Sequence, residues 1–179
     1  VGNHARRRSH LVARLALPPH RGITVSEPLR SRQGYEGDLK RDLEFPPLPD
    51  PLTVPVYDNH THLEIADGEN PLPPEENLRR AEAVGIKGVV QVGTDLETSR
   101  WSADLADRDP RVLAAVAIHP NEAPKLAERG VLDEHIAGIA ELATRDRVRA
   151  VGETGLDFFR TDESGRAPQL RSFEAHIDI

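Results

Sequence analysis

Two histidines separated by one residue give the sequence its first chemical signal. His60 and His62 lie at the end of the segment VPVYDNHTHL (54–63), whose β-branched residues predict a strand. Side chains two positions apart on a strand point to the same face, so both imidazoles would converge at its tip. Imidazole suits zinc, manganese and iron, and an added carboxylate also admits magnesium. The alternative is a polar strand end that carries histidines incidentally.

Asp58 shares the strand face of these histidines and has two interpretations. It could accept a hydrogen bond from a ligating imidazole and orient it. It could equally be an ordinary carboxylate at a strand end. The sequence leaves both open.

A carboxylate in a glycine-bounded turn is the second candidate. Glu153 lies in RAVGETGLD (149–157), which predicts a strand followed by a turn, and Gly152 and Gly155 allow a tight backbone path around it. In that position Glu153 could bridge two cations or hold a water for attack. It could also be a helix-capping or surface glutamate.

Two further polar residues follow predicted strands. His119 ends the apolar segment VLAAVAIHP (112–120) and could donate a hydrogen bond to a phosphate or a leaving group. A histidine that only bonds a neighbouring loop is the alternative. Asp157 could orient a ligand or cap the turn that follows it. His135 is expected on a solvated helix face, and His176 is expected to pack beside Phe173 and Ile177.

Strands and helices alternate along the sequence from about residue 54. The apolar strands do not alternate with polar residues, as expected for parallel strands covered on both faces. Thr94 and Glu97 have the spacing of a capping box at a helix start. The predicted strands are 54–63, 88–93, 112–120 and 149–157, and the predicted helices are 73–85, 94–107, 132–143 and one beginning at Ala167.

This order predicts a parallel α/β fold. Each strand ends in polar residues, and a TIM-type barrel builds its site at the carboxyl ends of its strands. A doubly wound sheet is the other arrangement, but no GxGxxG follows the first strand. Four β/α units are half of the eight in a barrel. The sequence stops within a helical pattern, so we expect an α/β TIM-type barrel truncated after its fourth β/α unit.

Composition divides the chain into two parts. Residues 1–51 lack periodicity and are basic and proline-rich, which predicts a mobile arm and a stiff linker with few contacts to the rest. Residues 52–179 form the predicted half barrel. The triple arginine at 6–8 could bind phosphate, although a solvated arm is the simpler interpretation.

Charge and cysteine content exclude some classes of protein. The net charge is −7, and residues 1–50 carry nine Lys/Arg against six Asp/Glu, which leaves the remainder at −10. An acidic body does not grip long nucleic acid electrostatically, but it can collect divalent cations. The absence of cysteine excludes disulfides and fits a reducing, cytoplasmic location. No apolar run approaches the ~18 residues of a membrane helix.

Several motifs taken together resemble the TatD family of metal-dependent deoxyribonucleases. They are DNHTHLE, VVQVGTD, AVAIHPNEA and VRAVGETGLDFFR followed by QLRSFEAHIDI, and the resemblance runs from about Val54 to Ile179. GETGLD followed by Q-x-x-x-F is far more specific than H-x-H. Two minor departures are Asn59, where the family usually has a small residue, and Glu64, where it usually has Asp or Asn.

The resemblance implies a barrel with a divalent metal centre that hydrolyses phosphodiesters, typically a magnesium-dependent DNase and in some members a 3′→5′ exonuclease. It implies that His60, His62 and Glu153 are metal ligands and that His119 lies near the site. From the residues themselves we expect Glu153 and His119 to be catalytic and His119 and Asp157 to contact the substrate. DNA is the expected substrate, and RNA is an alternative. Mg²⁺ is the expected ion, with Mn²⁺ or Zn²⁺ as alternatives. The family's two-ion site takes further ligands from later strands, so the 179-residue chain is expected to be inactive.

Two other functions compete with this interpretation. A related amidohydrolase acting on an amide, lactone or small phosphoester would also use H-x-H on a first strand. Many such enzymes bridge their metals with a carboxylated lysine, whereas the fourth strand here offers Glu153. The second competitor is a non-catalytic chain or binding module.

Overall fold

The computed structural model describes residues 26–31, 44–68 and 70–179. Most of the predicted arm, including the arginines at 6–8, lies outside the described residues.

Six strands and five helices make up the described part of the chain. They are β1 (Arg30–Ser31), β2 (Val56–Thr61), β3 (Ile65–Ala66), α1 (Pro74–Ala83), β4 (Ile86–Val92), α2 (Leu96–Arg108), β5 (Val112–Val116), α3 (Ala123–Glu128), α4 (Leu132–Ala143), β6 (Val148–Val151) and α5 (Glu163–Asp178).

The main sheet has four parallel strands in the order β2-β4-β5-β6. Asp58 pairs with Val89, Val90 with Leu113, and Val116 with Val151. Chain order and spatial order agree, with a helical connection between successive strands, as in the β/α units of a TIM-type barrel. The prediction of a parallel α/β fold is therefore confirmed.

The core lies between the two inner strands and the helices that cover them. Trp101 on α2, Ile139 on α4, and Val112, Val116 and Ile118 around β5 are fully buried. Burial of this much apolar surface is the main stabilising contribution to the four-unit fold. No helix in the described part of the chain is long and apolar enough to cross a membrane.

The start of α2 differs from the predicted capping box by one residue. Asp95, not Thr94, is the N-cap: its carboxylate accepts a hydrogen bond from the Thr98 backbone N–H at 2.8 Å. The Thr98 hydroxyl accepts one in return from the Asp95 N–H at 3.0 Å. Aspartate caps as well as threonine, and a threonine hydroxyl here replaces the glutamate of the predicted box.

Three further differences from prediction concern β5, α3 and α5. Strand β5 ends at Val116, four residues early, although Ala117 and Ile118 remain buried. The short helix α3 was not predicted. Helix α5 begins at Glu163 because Asp162 caps it, accepting hydrogen bonds from the backbone of Ser164 and Gly165, and Pro168 lies inside it.

The edge strands are more exposed than predicted. All residues of β2 except Thr61 are exposed, and β6 has two exposed residues. The expectation that every strand is covered on both faces is wrong for these two, which form the edges of the described sheet.

The described part of the predicted arm contacts the barrel units. Strand β1 pairs in parallel with β3, with Arg30 opposite Ile65. The Trp101 indole N–H donates to the Glu27 carbonyl at 3.3 Å. For residues 27–31 the expectation of few contacts is therefore wrong.

Candidate metal centre

His60, His62 and Glu153 meet at the carboxyl ends of β2 and β6. The Nε2 atoms of the two histidines lie 3.2 Å apart, and Glu153 Oε2 lies 3.5 Å from His60 Nε2 and 3.9 Å from His62 Nε2. One ligand atom from each residue lies within 4.8 Å of the others. The predicted convergence of the three side chains is thus confirmed.

Their convergence depends on the curvature of the sheet. Strands β4 and β5 lie between β2 and β6. In a flat sheet the two edge strands would be roughly 14 Å apart at the usual strand spacing. Side chains from both edges can approach within 4 Å only because the strand ends curve toward a common mouth, as in a barrel.

The backbone at the end of β2 is held by Asp58. Its Oδ1 accepts a hydrogen bond from the His60 backbone N–H at 3.1 Å. Asp58 therefore fixes the chain on which His60 sits, and the hydrogen bond goes to the backbone instead of to an imidazole. Neither of the two sequence interpretations named this contact.

The imidazole of His62 is oriented by a buried carboxylate to which the sequence analysis gave no role. Glu64 is 1 % exposed, and its Oε1 lies 3.3 Å from His62 Nδ1. The other oxygen accepts a hydrogen bond from Gln91 Nε2 at 2.5 Å. Gln91 Oε1 in turn accepts from the Leu63 backbone N–H at 2.8 Å, so the amide ties strand β4 to the loop after β2. The feature of the sequence that could have indicated this role is an acidic residue two positions after the second histidine.

These contacts determine the tautomer of His62. The hydrogen bond to Glu64 raises the pKa of His62 above its ordinary value, against the opposing effect of burial. With the proton on Nδ1, the lone pair of Nε2 points toward His60 and Glu153. A carboxylate behind an imidazole in this way is the usual support of a metal-ligating histidine.

His119 lies on the other side of Glu153. Its Nδ1 accepts a hydrogen bond from the Asn121 backbone N–H at 3.1 Å, so its proton sits on Nε2. That nitrogen is 3.3 Å from Glu153 Oε1. Glu153 therefore faces a hydrogen-bond donor with one oxygen and the two histidines with the other.

Asp157 holds the loop that follows β6. It accepts hydrogen bonds from the Arg160 backbone N–H and from Asn121 Nδ2, both at 3.1 Å. Its own backbone N–H donates to Gln169 Oε1 at 2.8 Å. The hydrogen bond from the Arg160 backbone is the main reason that the pKa of Asp157 is lowered. These contacts fit the turn-capping interpretation, and its contact with a substrate stays a prediction.

The remaining histidines of the described region lie away from this cluster. His176 is buried, as expected. Its Nε2 accepts a hydrogen bond from the Ile118 backbone N–H at 2.9 Å, and its Nδ1 lies 2.6 Å from the Ser172 carbonyl oxygen. Ile177 is 67 % exposed and does not share that packing. His135 is half-buried instead of solvated, and burial lowers its pKa.

The three converging side chains fit a metal ion. Two nitrogens bound to one ion at about 2.1 Å each lie roughly 3 Å apart, and the two Nε2 atoms are separated by 3.2 Å. Two neutral imidazoles and a carboxylate form a ligand set suited to several divalent cations. The geometry defines the described chain as four β/α units of a TIM-type barrel with a candidate metal site at the mouth.

Comparison with known proteins agrees with this class. The profile of the family described as TatD related DNase matches residues 57–179, and the chain belongs to this family. The "Uncharacterized metal-dependent hydrolase TatD" of Mycobacterium tuberculosis is 38 % identical over 128 residues, which are 69 % of this chain and 47 % of that protein. The "3'-5' ssDNA/RNA exonuclease TatD" of Musicola paradisiaca is 36 % identical over 103 residues, which are 57 % of this chain and 37 % of that protein.

A solved structure supports the fold. The crystal structure of YjjV, a TatD homolog from Escherichia coli, superposes with a TM-score of 0.54 at 23 % identity and covers 69 % of this chain and 45 % of that one. At this identity the likeness concerns the fold alone. The chain spans about half the length, or less, of the relatives it matches.

Proposed function

We propose that this chain carries part of the active site of a divalent-metal-dependent hydrolase that cleaves phosphodiester bonds in single-stranded DNA from the 3′ end. The observation that carries the proposal is the convergence of His60, His62 and Glu153 within 4.8 Å at the barrel mouth. Relatives named as 3′-5′ ssDNA/RNA exonucleases support the direction and the strandedness. RNA is the alternative polymer. The cysteine-free composition suits the cytoplasm, where we place the reaction.

Each residue has a role that its contacts support. His60 and His62 would hold a cation through Nε2, and Glu64 keeps the proton of His62 on Nδ1. Glu153 would hold the same cation through Oε2, while His119 donates from Nε2 to Oε1. Bound cations would supply the positive charge that activates water and stabilises the leaving oxygen. We propose Mg²⁺ as the physiological ion, with Mn²⁺ and Zn²⁺ as alternatives that this ligand set also accepts.

An exposed aromatic loop beside Glu153 favours nucleic acid over a small amide substrate. Phe159 is 94 % exposed and Phe158 is 43 % exposed, and they follow Glu153 by six and five residues in the same loop. The Arg160 guanidinium lies 5.9 Å from the ring of Phe159, and that of Arg166 lies 5.1 Å from the ring of Phe158. Aromatic rings with adjacent arginines bind single-stranded nucleic acid by stacking on bases and pairing with phosphates.

Three ligands do not make a two-metal site. A second ion that stabilises both attacking and leaving oxygens needs more side chains than the described cluster provides. We therefore propose that the 179-residue chain binds one ion and does not hydrolyse DNA by itself at an appreciable rate.

Metal titration tests the site directly. Calorimetric titration with Mn²⁺ should detect one bound ion, and His60→Ala and Glu153→Gln should each weaken binding at least about tenfold. Glu163→Gln, which removes an exposed carboxylate at the start of α5, is the matched control and should bind like the wild type. Equal affinity in all four proteins would refute the site.

Oligonucleotide binding tests the substrate. Fluorescence anisotropy with a labelled single-stranded oligonucleotide should show weaker binding for Phe159→Ala, by about 1–3 kcal/mol for one lost stacking contact. Ile177→Ala, which removes an exposed apolar side chain near the end of α5, is the control. If Phe159→Ala binds DNA as tightly as the wild type, the loop does not contact the substrate, and cyclic amides and lactones become the substrates to assay.

A further inference from the structure

We propose that residues 27–31, here termed the N-terminal strap, position the loop that carries Glu64 and thereby set the metal-binding geometry of His62. The strap precedes the residues matched by the family profile, which begin at residue 57. It therefore lies outside the residues by which the family is shown. The inference rests on the proposed metal site.

The strap is anchored at both ends. At its start, the Glu27 carbonyl accepts a hydrogen bond from the buried Trp101 side chain on α2. Leu29 packs against the main hydrophobic core. At its end, Arg30 and Ser31 form strand β1 and pair with Ile65 and Ala66 of β3.

Arg30 joins two neighbouring strand ends at the mouth of the barrel. Its guanidinium forms an ion pair with Asp95, the N-cap of α2 immediately after β4. Burial would raise the pKa of Asp95, but hydrogen bonds from the Thr98 backbone N–H and hydroxyl, together with this ion pair, hold that pKa below its usual value. The Arg30 backbone N–H donates to the Glu64 carbonyl at 3.0 Å. One residue therefore fixes the loop after β2 relative to the loop after β4.

Glu64 transmits this constraint to the metal ligand. Its backbone is held by the strap, and its buried side chain reaches His62 Nδ1. The Ile65 backbone N–H donates to the His62 carbonyl at 3.2 Å, so His62 and β3 belong to one tight turn. If the strap were released, the Glu64 backbone would lose its hydrogen bond from Arg30, and the Gln91 contact with the Glu64 side chain would restrict the orientation of His62 Nε2 less tightly by itself.

A pair of substitutions at Arg30 isolates the backbone contact. Arg30→Pro removes both the N–H that bonds Glu64 and the ion pair with Asp95, whereas Arg30→Ala removes only the ion pair. Glu27→Ala is the control, because the hydrogen bond from Trp101 goes to the carbonyl of Glu27 and not to its side chain. All three variants are made in the full 179-residue chain.

Three measurements decide the matter: hydrogen exchange of the amides at 63–66, the dissociation constant of Mn²⁺, and the thermal midpoint. Arg30→Pro should accelerate exchange at 63–66 while leaving β5 protected, and it should weaken Mn²⁺ binding about tenfold at a temperature where it is fully folded. Arg30→Ala should show a smaller change in both, and Glu27→Ala none.

Two outcomes would overturn the proposal or separate it from the function of the site. If Arg30→Pro retains wild-type exchange at 63–66 and wild-type Mn²⁺ affinity, the strap does not position the loop. If the wild-type chain itself fails to bind Mn²⁺, the proposed function fails. The strap's role would then be tested by hydrogen exchange alone, and unchanged exchange at 63–66 in Arg30→Pro would refute it.

Discussion

The inner strands and the edge strands of the sheet differ in what their residues do. Around β5, Val112, Val116 and Ile118 are fully buried. On the edge strand β2, Val56 is 43 % exposed and Tyr57 is 71 % exposed. The three candidate metal ligands come from the ends of the edge strands, while the inner strands supply most of the packing and, through His119 and Gln91, support for those ligands. Most of the stability and the metal ligands thus come from different strands of one sheet.

Removing a large side chain from the inner region should have the largest effect. Trp101 is fully buried, so Trp101→Ala should lower the free energy of unfolding by about 3–5 kcal/mol. Tyr57→Ala, on the exposed edge, should change it by no more than about 0.5 kcal/mol. Urea denaturation followed by circular dichroism measures both. Similar losses in the two variants would show that the edge is packed as tightly as the centre.

The sequence was sufficient to predict the parts that depend on local patterns. The apolar runs around Val90 and Val116 predicted parallel strands, and H-x-H with GETGLD predicted which side chains converge. What was missed depends on contacts distant in sequence. Gln91 looked like one polar residue in an apolar strand, and its role appears only when its amide meets Glu64. The strap has no periodicity, because two residues of strand and one ion pair leave no pattern.

A second substitution tests the connection between the two regions. Gln91 is buried on β4 and donates to Glu64. Gln91→Leu should cost about 1–3 kcal/mol, because it leaves a buried carboxylate oxygen without its partner. It should also weaken Mn²⁺ binding, since His62 loses its fixed support. Ser102→Ala removes a longer contact of the same amide, at 3.3 Å, and should have a smaller effect on both quantities.

A pH titration gives the smallest expected effect. Burial lowers the pKa of His176, so the folded state prefers the neutral imidazole that accepts from Ile118 and donates to Ser172. The unfolded state, with a pKa of about 6.5, binds its proton first as the pH falls. This contribution to stability is therefore complete above about pH 6.5 and is lost as the pH falls through the lower folded-state value.

The thermal midpoint measured between pH 7.5 and 5 checks this prediction. His176→Gln should show a smaller decrease on acidification than the wild type, and His135→Gln separates the contribution of the other histidine whose pKa is lowered. An equal decrease in wild type and His176→Gln would mean that His176 protonates without cost to the fold.

The curvature that brings the ends of β2 and β6 together has a thermodynamic consequence. His60 and Glu153 belong to the first and the last strand of the sheet, so an ion held by both would cross-link the two ends of the folded region. The unfolded chain offers no such arrangement, and ligand linkage then requires the unfolding midpoint to rise with the logarithm of the metal concentration. Chelation would release the edges before the inner strands, so the order in which amides lose protection would run from β2 and β6 inward.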